Sequence, residues 1–405
     1  MIKNKKSAAV GFIFITMLLD VIGLGIIIPV IPKLLLELSG VDISEAALIG
    51  GWLAFAYAFT QFIFAPVIGN LSDQYGRRPI ILVSLFFFAI DYIFLALAPT
   101  VAWLFVGRII AGITGASIST ASAYIADIST KENKAKNFGM IGAAFGIGFI
   151  IGPVIGGILG QYGSRIPFIA AAILCFINFI YGCFILPESL SIEKRRKFDW
   201  RLANPVGAIL RLKKYPQIIL LVLAVFLMYV GHNAIHGNWN YFVIYQFGWD
   251  ERMIGFSLGT IGFLVALVQG GLIRWVTPKI GNAKSIITGL VLTATGLFLF
   301  SSATEGWMMF VFLIPYCLGG IAGPALQAII TENVPANEQG QMQGTLASLN
   351  SATAIIGPLL MSNVFFYFTH DQAPFLFPGA PFFLGGILIL IALFVVLYNF
   401  KKSHN

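Results

Sequence analysis

The sequence predicts an all-α membrane protein with twelve transmembrane helices in two pseudo-repeated six-helix bundles. Three observations predict it. Of the 405 residues, 58% are hydrophobic and 10% charged, a composition that suits a bilayer and would not dissolve as a water-facing globule. The apolar residues fall into runs long enough to cross about 30 Å of hydrocarbon as helix. Positions in the two halves also echo one another at one constant spacing, the mark of an internal repeat.

In the first half the apolar runs lie near 8–36, 47–70, 79–98, 102–127, 137–160 and 166–186. In the second half they lie near 217–245, 252–275, 284–302, 306–331, 341–367 and 376–400. The first run follows Lys3, Lys5 and Lys6 and so imitates a secretory leader. It is too long for one, contains Asp20 and lacks a small-residue cleavage site, so it reads as an uncleaved helix. Gly23, Gly25 and Pro29 in that run permit close packing and a bend. Between the second and third runs stands GNLSDQYGRRP, residues 69–79, which squeezes Asp73, Arg77 and Arg78 into a tight turn. Charges confined to so short a connection mark a cytoplasmic hinge, although a solvated turn of no special role has the same composition.

The fourth run carries GRIIAGITGA, residues 107–116, and the fifth GFIIGPVIGG, residues 148–157. In the latter, Gly148, Gly152, Gly156 and Gly157 remove side-chain bulk, while Pro153 removes a backbone donor and favours a kink. Generic packing of small-residue helices would use the same residues. After the sixth run comes the longest polar stretch, starting at Glu188. It is too small for an enzyme domain, and its basic residues suit the membrane surface. The predicted organisation is therefore a bundle over 1–187, a cytoplasmic linker over 188–215 and a second bundle over 216–405.

Orientation follows from the basic residues. Lys3, Lys5, Lys6, Arg77, Arg78, the clusters at 131–136 and 194–201, Lys279, Lys401 and Lys402 fall on one side of an alternating topology. Glu37, Asp42, Glu45, Asp250, Glu251, Arg252 and Glu305 fall on the other. The positive-inside rule then makes both termini cytoplasmic, in a multi-pass protein of the cytoplasmic membrane. Topology accounts for the net charge of +8, so no nucleic-acid partner is expected. Cys175, Cys183 and Cys317 are odd in number and lie in apolar runs, as core thiols without a disulfide or metal pattern.

Function should lie where charge enters the membrane. Asp20, Asp91 and Arg108 fall within spans of the first half, and each costs roughly 2.5 to 3.5 kcal/mol at a helix centre on insertion scales. Arg108 is the natural partner of one of the two acids. The pair is either structural or the place where an Asp exchanges a proton or a cationic substrate. The repeat joins Asp127, Gly139, Gly152 and Pro153 to Glu332, Gly344, Gly357 and Pro358, and Gly76 to Gly281.

Gly69, Asp73, Gly76, Arg77 and Arg78, with the fourth- and fifth-run motifs, resemble the major facilitator superfamily. LLDVIGLGIIIPVIP, FAPVIGNLSDQYGRRPI, RIIAGITGASISTASAYIAD and PALQAIITENVPANEQGQMQGTLASL resemble, more narrowly, the tetracycline-resistance branch of its drug:proton antiporters. The resemblance runs through most of the chain and is densest in the first half. It implies two six-helix repeats around a midplane cavity, with Asp20, Asp91 and Arg108 as the coupling charges. It also implies that Asp73, Arg77 and Asp127 form a cytoplasmic cluster holding one conformation, and that Gln269 handles drug.

Two departures qualify the resemblance. Where these exporters typically carry a His one turn before Gln269 and an Asp in the ninth span, this chain has Val265 and Thr293. Tetracycline is thus expected to be carried poorly or by a different route. The seventh run instead has GHNAIHGNWNYF, with His232 and His236 on one helical face beside Asn233 and Asn240. That face can read substrate, carry protons or bind metal, for which two His alone are a weak signal, and ordinary hydrogen bonding within the bundle is the expected role. The expected function is proton-coupled efflux of small amphipathic compounds by a monomer, its partners being substrate, protons and the bilayer. A metabolite facilitator or symporter is the alternative, against which stands the resemblance of GFIIGPVIGG to the fifth-span motif of proton-driven exporters. No nucleophile motif, metal-ligand cluster or soluble catalytic domain points to an enzyme, and neither cofactor nor metal is expected.

Overall fold

The computed structural model describes every residue except 1, 116, 131–132, 199–214, 336–337 and 405. The described residues form α1 (Ile2–Ile27), α2 (Ile31–Ser39), α3 (Ile43–Tyr75), α4 (Arg77–Ala96), α5 (Val101–Thr114), α6 (Ser117–Ile128), α7 (Lys134–Gly160) and α8 (Ile166–Ile185). They continue with α9 (Ile219–Phe247), α10 (Glu251–Leu267), α11 (Ile273–Ser301), α12 (Gly306–Leu318), α13 (Ala322–Glu332), α14 (Gln339–Thr369) and α15 (Ala380–His404). Among these residues 11 helical runs are long and apolar enough to cross a membrane. The longest, Glu251–Ser301, has 51 residues, about twice what a crossing needs, and breaks at Gly281. That break makes two crossings of one run and brings the number to twelve.

Several expected spans are interrupted rather than continuous. The first turns through a 3-10 segment, Ile28–Val30, where Pro29 lacks the backbone donor that an α-helix needs. The fourth parts at Gly115, between α5 and α6, and the tenth passes through a 3-10 turn at Gly319–Ile321. The eighth widens into a π-turn over Val268–Leu272, which contains Gln269. Hydrophobicity marks the run and is blind to such local changes of winding.

Contacts divide the chain into two compact units. The first comprises Met1–Gly40, Ala56–Asn204 and Asp250–Gly259, and the second Val41–Phe55, Pro205–Trp249 and Thr260–Asn405. In the first unit α1 packs on α7 and α8, and α4 on α8 and α5. Glycine makes the α1–α7 contact possible. A Cβ on Gly148 would sit 2.7 Å from the Val21 side chain and one on Gly152 2.9 Å from the Ile22 carbonyl oxygen, while one on Gly156 would collide with the Ile26 carbonyl. Gly157 packs instead against Glu251 and Gly255. The small residues of GFIIGPVIGG therefore clear more than one side of α7. Thr16 and Asn178 lock α1 to α8 by a hydroxyl donated to the amide oxygen at 3.2 Å. Arg165 donates to the carbonyls of Ala96 and Ala98 at 2.7 and 2.9 Å, which satisfies the open C-terminal end of α4.

These approaches predict that Gly156→Ala lowers the thermal midpoint of the purified protein by several degrees, since overpacking costs about 1 to 3 kcal/mol. Gly146→Ala, on the same helix with nothing within 4 Å of its Cβ, leaves the midpoint unchanged or raises it. Equal midpoints for the two variants would remove the close approach from the account.

In the second unit α9 packs on α14 and α15, and α11 on α12 and α15. Trp239 and Phe300 meet edge to face at 5.3 Å, Phe242 and Phe382 at 4.9 Å. The internal repeat appears in the backbone. Gly76 (φ 105, ψ 159) and Gly281 (φ 79, ψ 163) adopt the same left-handed extended conformation, which a side chain would disfavour. Gly152 meets α1 as Gly357 meets Asn233 on α9, so the fifth span packs on the first as the eleventh does on the seventh.

Candidate functional site

The intramembrane charges come together in the first unit. Asp91 on α4 accepts from Arg108 on α5, Nη2 to Oδ2, at 2.7 Å. The side chains are 1% and 14% exposed, so the ion pair is withdrawn from both water and lipid. The two helices are adjacent because α4 and α5 are joined by a four-residue turn, and Gly107 leaves space for the acid. A Cβ there would lie 2.9 Å from Asp91 Oδ1. That oxygen has no hydrogen-bond partner among the described residues. The Arg108 guanidinium lies 5.9 Å from the centre of the Tyr57 ring, within reach of a cation–π interaction. Tyr57 is fixed in turn by Gln61, whose amide donates to the phenol oxygen at 3.0 Å and to the Gly115 carbonyl at 3.2 Å.

Asp20 on α1, 6% exposed, lines a small cavity of about 10 Å³ with Tyr57, Tyr92, Gly115 and Cys175. That is the space of roughly one water molecule. Tyr57 thus borders both the cavity beside Asp20 and the Arg108 guanidinium. Arg108 is hydrogen bonded to Asp91, and Asp20 lines this cavity.

A second cluster surrounds the α3–α4 turn. Arg77 pairs with Asp73 at 2.6 Å and with Asp127 at 3.2 Å, and donates to Ser72 Oγ at 2.5 Å. Arg78 donates to the Cys183 carbonyl at 2.8 Å. The centre of the cluster is a residue the sequence reading passed over. Glu188 accepts from the backbone N–H groups of Arg77 and Arg78 at 2.9 and 3.2 Å and from those of Ser189 and Leu190. Its carboxylate therefore caps the positive end of α4. Ser189 extends the cluster to Asp127 at 3.1 Å. Its signal in the sequence is only its place directly after the sixth span and ahead of a basic run, in a stretch that also holds Glu193 and Asp199. Gly69 has nothing within 4 Å of its Cβ, whereas a Cβ on Gly76 would strike Glu188. The remainder of the expected linker, 199–214, and residues 131–132 lie outside the described residues.

We expect Asp73→Asn, Arg77→Ala and Glu188→Gln each to slow transport several-fold while leaving the equilibrium affinity for substrate unchanged. These side chains bind helix ends and one another, so their loss is expected to act on the balance between conformations rather than on a binding surface. A comparison of binding affinity and uptake rate on the same preparations decides it, and a loss of binding equal to the loss of rate would contradict a conformational role.

In the second unit the expected residues lie on α9 and in the π-turn of the eighth span. His232 lies against Tyr316, ring centres 5.7 Å apart. Asn233 donates to the carbonyls of Tyr229 at 2.8 Å and Thr353 at 3.4 Å, as a bolt between α9 and α14. His236 is exposed, as is Gln269 within the π-turn. Among the described residues no group of three or more His, Cys, Asp or Glu side chains could hold a metal ion.

Twelve crossings in two echoing sets, with charge buried in the first set, are the arrangement expected of a secondary transporter. The sequence model of the Major Facilitator Superfamily matches residues 13–273 and 221–404. The class C tetracycline resistance protein of Escherichia coli is 40% identical over 89% of this chain and 90% of its own length. The class G protein of Vibrio anguillarum is 35% identical over 98% of this chain and 99% of its own length, and Multidrug resistance protein 2 of Bacillus subtilis 31% over 92% and 93%. In fold the chain resembles the human organic anion transporter MFSD10 (TM-score 0.72, 22% identity, 96% of this chain and 99% of that one). It also resembles the nucleoside transporter NupG (TM-score 0.75, 14% identity, 98% and 99%). The chain belongs to the major facilitator superfamily, in the branch of the tetracycline resistance exporters.

Proposed function

We propose that the protein exports small amphipathic drugs of the tetracycline type from the cytoplasm in exchange for protons. The observation that carries the reading is Asp20, buried on a water-sized cavity beside the Asp91–Arg108 pair in a helical bundle. A carboxyl in that position is costly in hydrocarbon when ionised and inexpensive when protonated, so it favours a cycle in which it gains and loses a proton. Arg108, held by Asp91 and Tyr57, keeps a positive charge in the same bundle. A membrane potential adds about 2.3 kcal/mol per charge per 100 mV to a cycle that moves charge inward.

The relatives' names favour tetracycline as the drug. The departures in the second half bear on the route. Thr293 is 1% exposed, and a Cβ on Gly319 would collide with its hydroxyl, so this ninth-span position is a packing contact in the present chain. The distribution of basic residues supports both termini inside, in the cytoplasmic membrane, and the reading takes the protein as a monomer with bundles over 1–187 and 216–405.

Everted membrane vesicles from an exporter-deficient host test the proposal. Respiration should drive tetracycline uptake that a protonophore collapses. Uptake that survives the protonophore, or none above vesicles lacking the protein, would contradict it.

A further inference from the structure

In the second unit α9, α13 and α14 surround a cavity of about 210 Å³ whose polar lining is entirely neutral. Its residues recur at helical spacing: Val225, Met228 and Tyr229 on α9, Gly323 and Gln327 on α13, and Gln343, Leu346 and Asn350 on α14. Gln327, Gln343 and Asn350 are exposed, although their helices belong to membrane spans. An exposed carboxamide facing acyl chains would leave its donors and acceptors unmet, so this face borders water or a polar ligand.

The amides are oriented before any ligand arrives. Gln327 Nε2 donates to Gln343 Oε1 at 2.6 Å, Gln343 Nε2 donates to Thr331 Oγ1 at 3.4 Å, and the Thr331 hydroxyl donates to the Gln327 carbonyl at 2.7 Å. A carboxamide has two N–H donors and an oxygen with two acceptor sites. The chain Gln327–Gln343–Thr331 therefore leaves further donors and acceptors on both glutamines. Gly323 opens the floor of the cavity, with Met228 Cε 3.8 Å from where its Cβ would be, and Met228 and Leu346 form an adaptable apolar wall. The volume falls below the roughly 300–1,000 Å³ of a pocket for a whole drug-sized molecule. It fits one edge of such a molecule.

We infer that this cavity is a specificity subsite of the exporter, which binds an uncharged edge bearing hydroxyl, carbonyl or amide groups through Gln327, Gln343 and Asn350. The inference rests on the export reading for its direction of use, and it deepens that reading by stating what part of the drug the second unit recognises. Selection here depends on matching donors and acceptors, because a ligand lacking them leaves the amides unpaired. A carboxylate or a bare organic cation gains nothing from a neutral lining and loses its hydration.

The test is equilibrium binding to purified full-length protein, with tetracycline as the hydroxyl- and carbonyl-bearing probe and tetraphenylphosphonium as a cation without hydrogen-bonding groups. Gln343→Leu and Asn350→Leu should each weaken tetracycline binding by roughly 2- to 10-fold, the size of one or two neutral hydrogen bonds, and leave tetraphenylphosphonium binding unchanged. Gly323→Val fills the cavity from another helix without removing an amide and should weaken tetracycline in the same way, which separates the subsite from a folding defect in either amide variant. Wild-type affinity for tetracycline in all three variants overturns the subsite, as does a parallel loss for both probes. Tetracycline binding that is amide-dependent but unaccompanied by proton-driven uptake supports the subsite and overturns only the export reading.

Discussion

Asp20→Asn is expected to abolish proton-driven drug uptake into everted vesicles while the protein accumulates in the membrane at its wild-type level. The amide keeps the size and much of the hydrogen bonding of the carboxyl but cannot release a proton. Asp20 lines its cavity beside Tyr57, Tyr92 and Cys175, so the substitution changes no large packing contact. The expected loss is at least 100-fold in the coupled rate, with drug binding retained. Coupled uptake at the wild-type rate would take the proton away from Asp20.

Arg108→Ala is expected to lose both stability and transport. Removing the guanidinium leaves Asp91, 1% exposed, as a buried carboxylate without its cation, and breaking a buried pair on one side costs about 3 to 5 kcal/mol. It also removes the cation above the Tyr57 ring. Combining Arg108→Ala with Asp91→Asn neutralises the remaining charge and should restore expression and much of the thermal midpoint, without restoring coupled transport. Because Arg108 donates to Asp91 at 2.7 Å, Asp91→Asn should rescue more than Asp20→Asn does. Thermal unfolding of the three variants in detergent distinguishes these outcomes. Rescue by Asp20→Asn instead of Asp91→Asn would reassign the pair.

Much of this architecture is legible in the sequence because a bilayer imposes a coarse and readable demand. Twelve apolar runs, the charged turn after Gly69 and the paired positions Gly76 and Gly281 all follow from helix length, loop charge and repetition. The turn at Pro29 was legible too, since proline has a local cost that does not depend on the rest of the chain. Local winding was less accessible. At the break after α5, Gln61 of another helix reaches the Gly115 carbonyl, and hydrophobicity does not mark the π-turn around Gln269.

The site shows the same division. Asp20, Asp91 and Arg108 are conspicuous in sequence because charge is expensive in hydrocarbon. Which acid takes the arginine depends on the short turn between α4 and α5 and on Gly107, and so needed coordinates. Glu188 was hidden by its place at the edge of a linker, where acids are common, and became evident only with four backbone N–H groups converging on it. Gln327, Gln343 and Asn350 are neutral and scattered through spans, and their convergence on one cavity is a fact of packing.

The central claim is that drug and proton move in opposite directions through one obligatory cycle. The most direct measurement uses purified protein in proteoliposomes with a pH-sensitive dye inside, and records proton flux on addition of tetracycline without an imposed gradient. The account predicts that drug entering the vesicles drives protons out, that an imposed pH gradient drives drug in the opposite sense, and that Asp20→Asn shows neither flux. Tetracycline movement with no accompanying proton flux in the wild-type protein would contradict it.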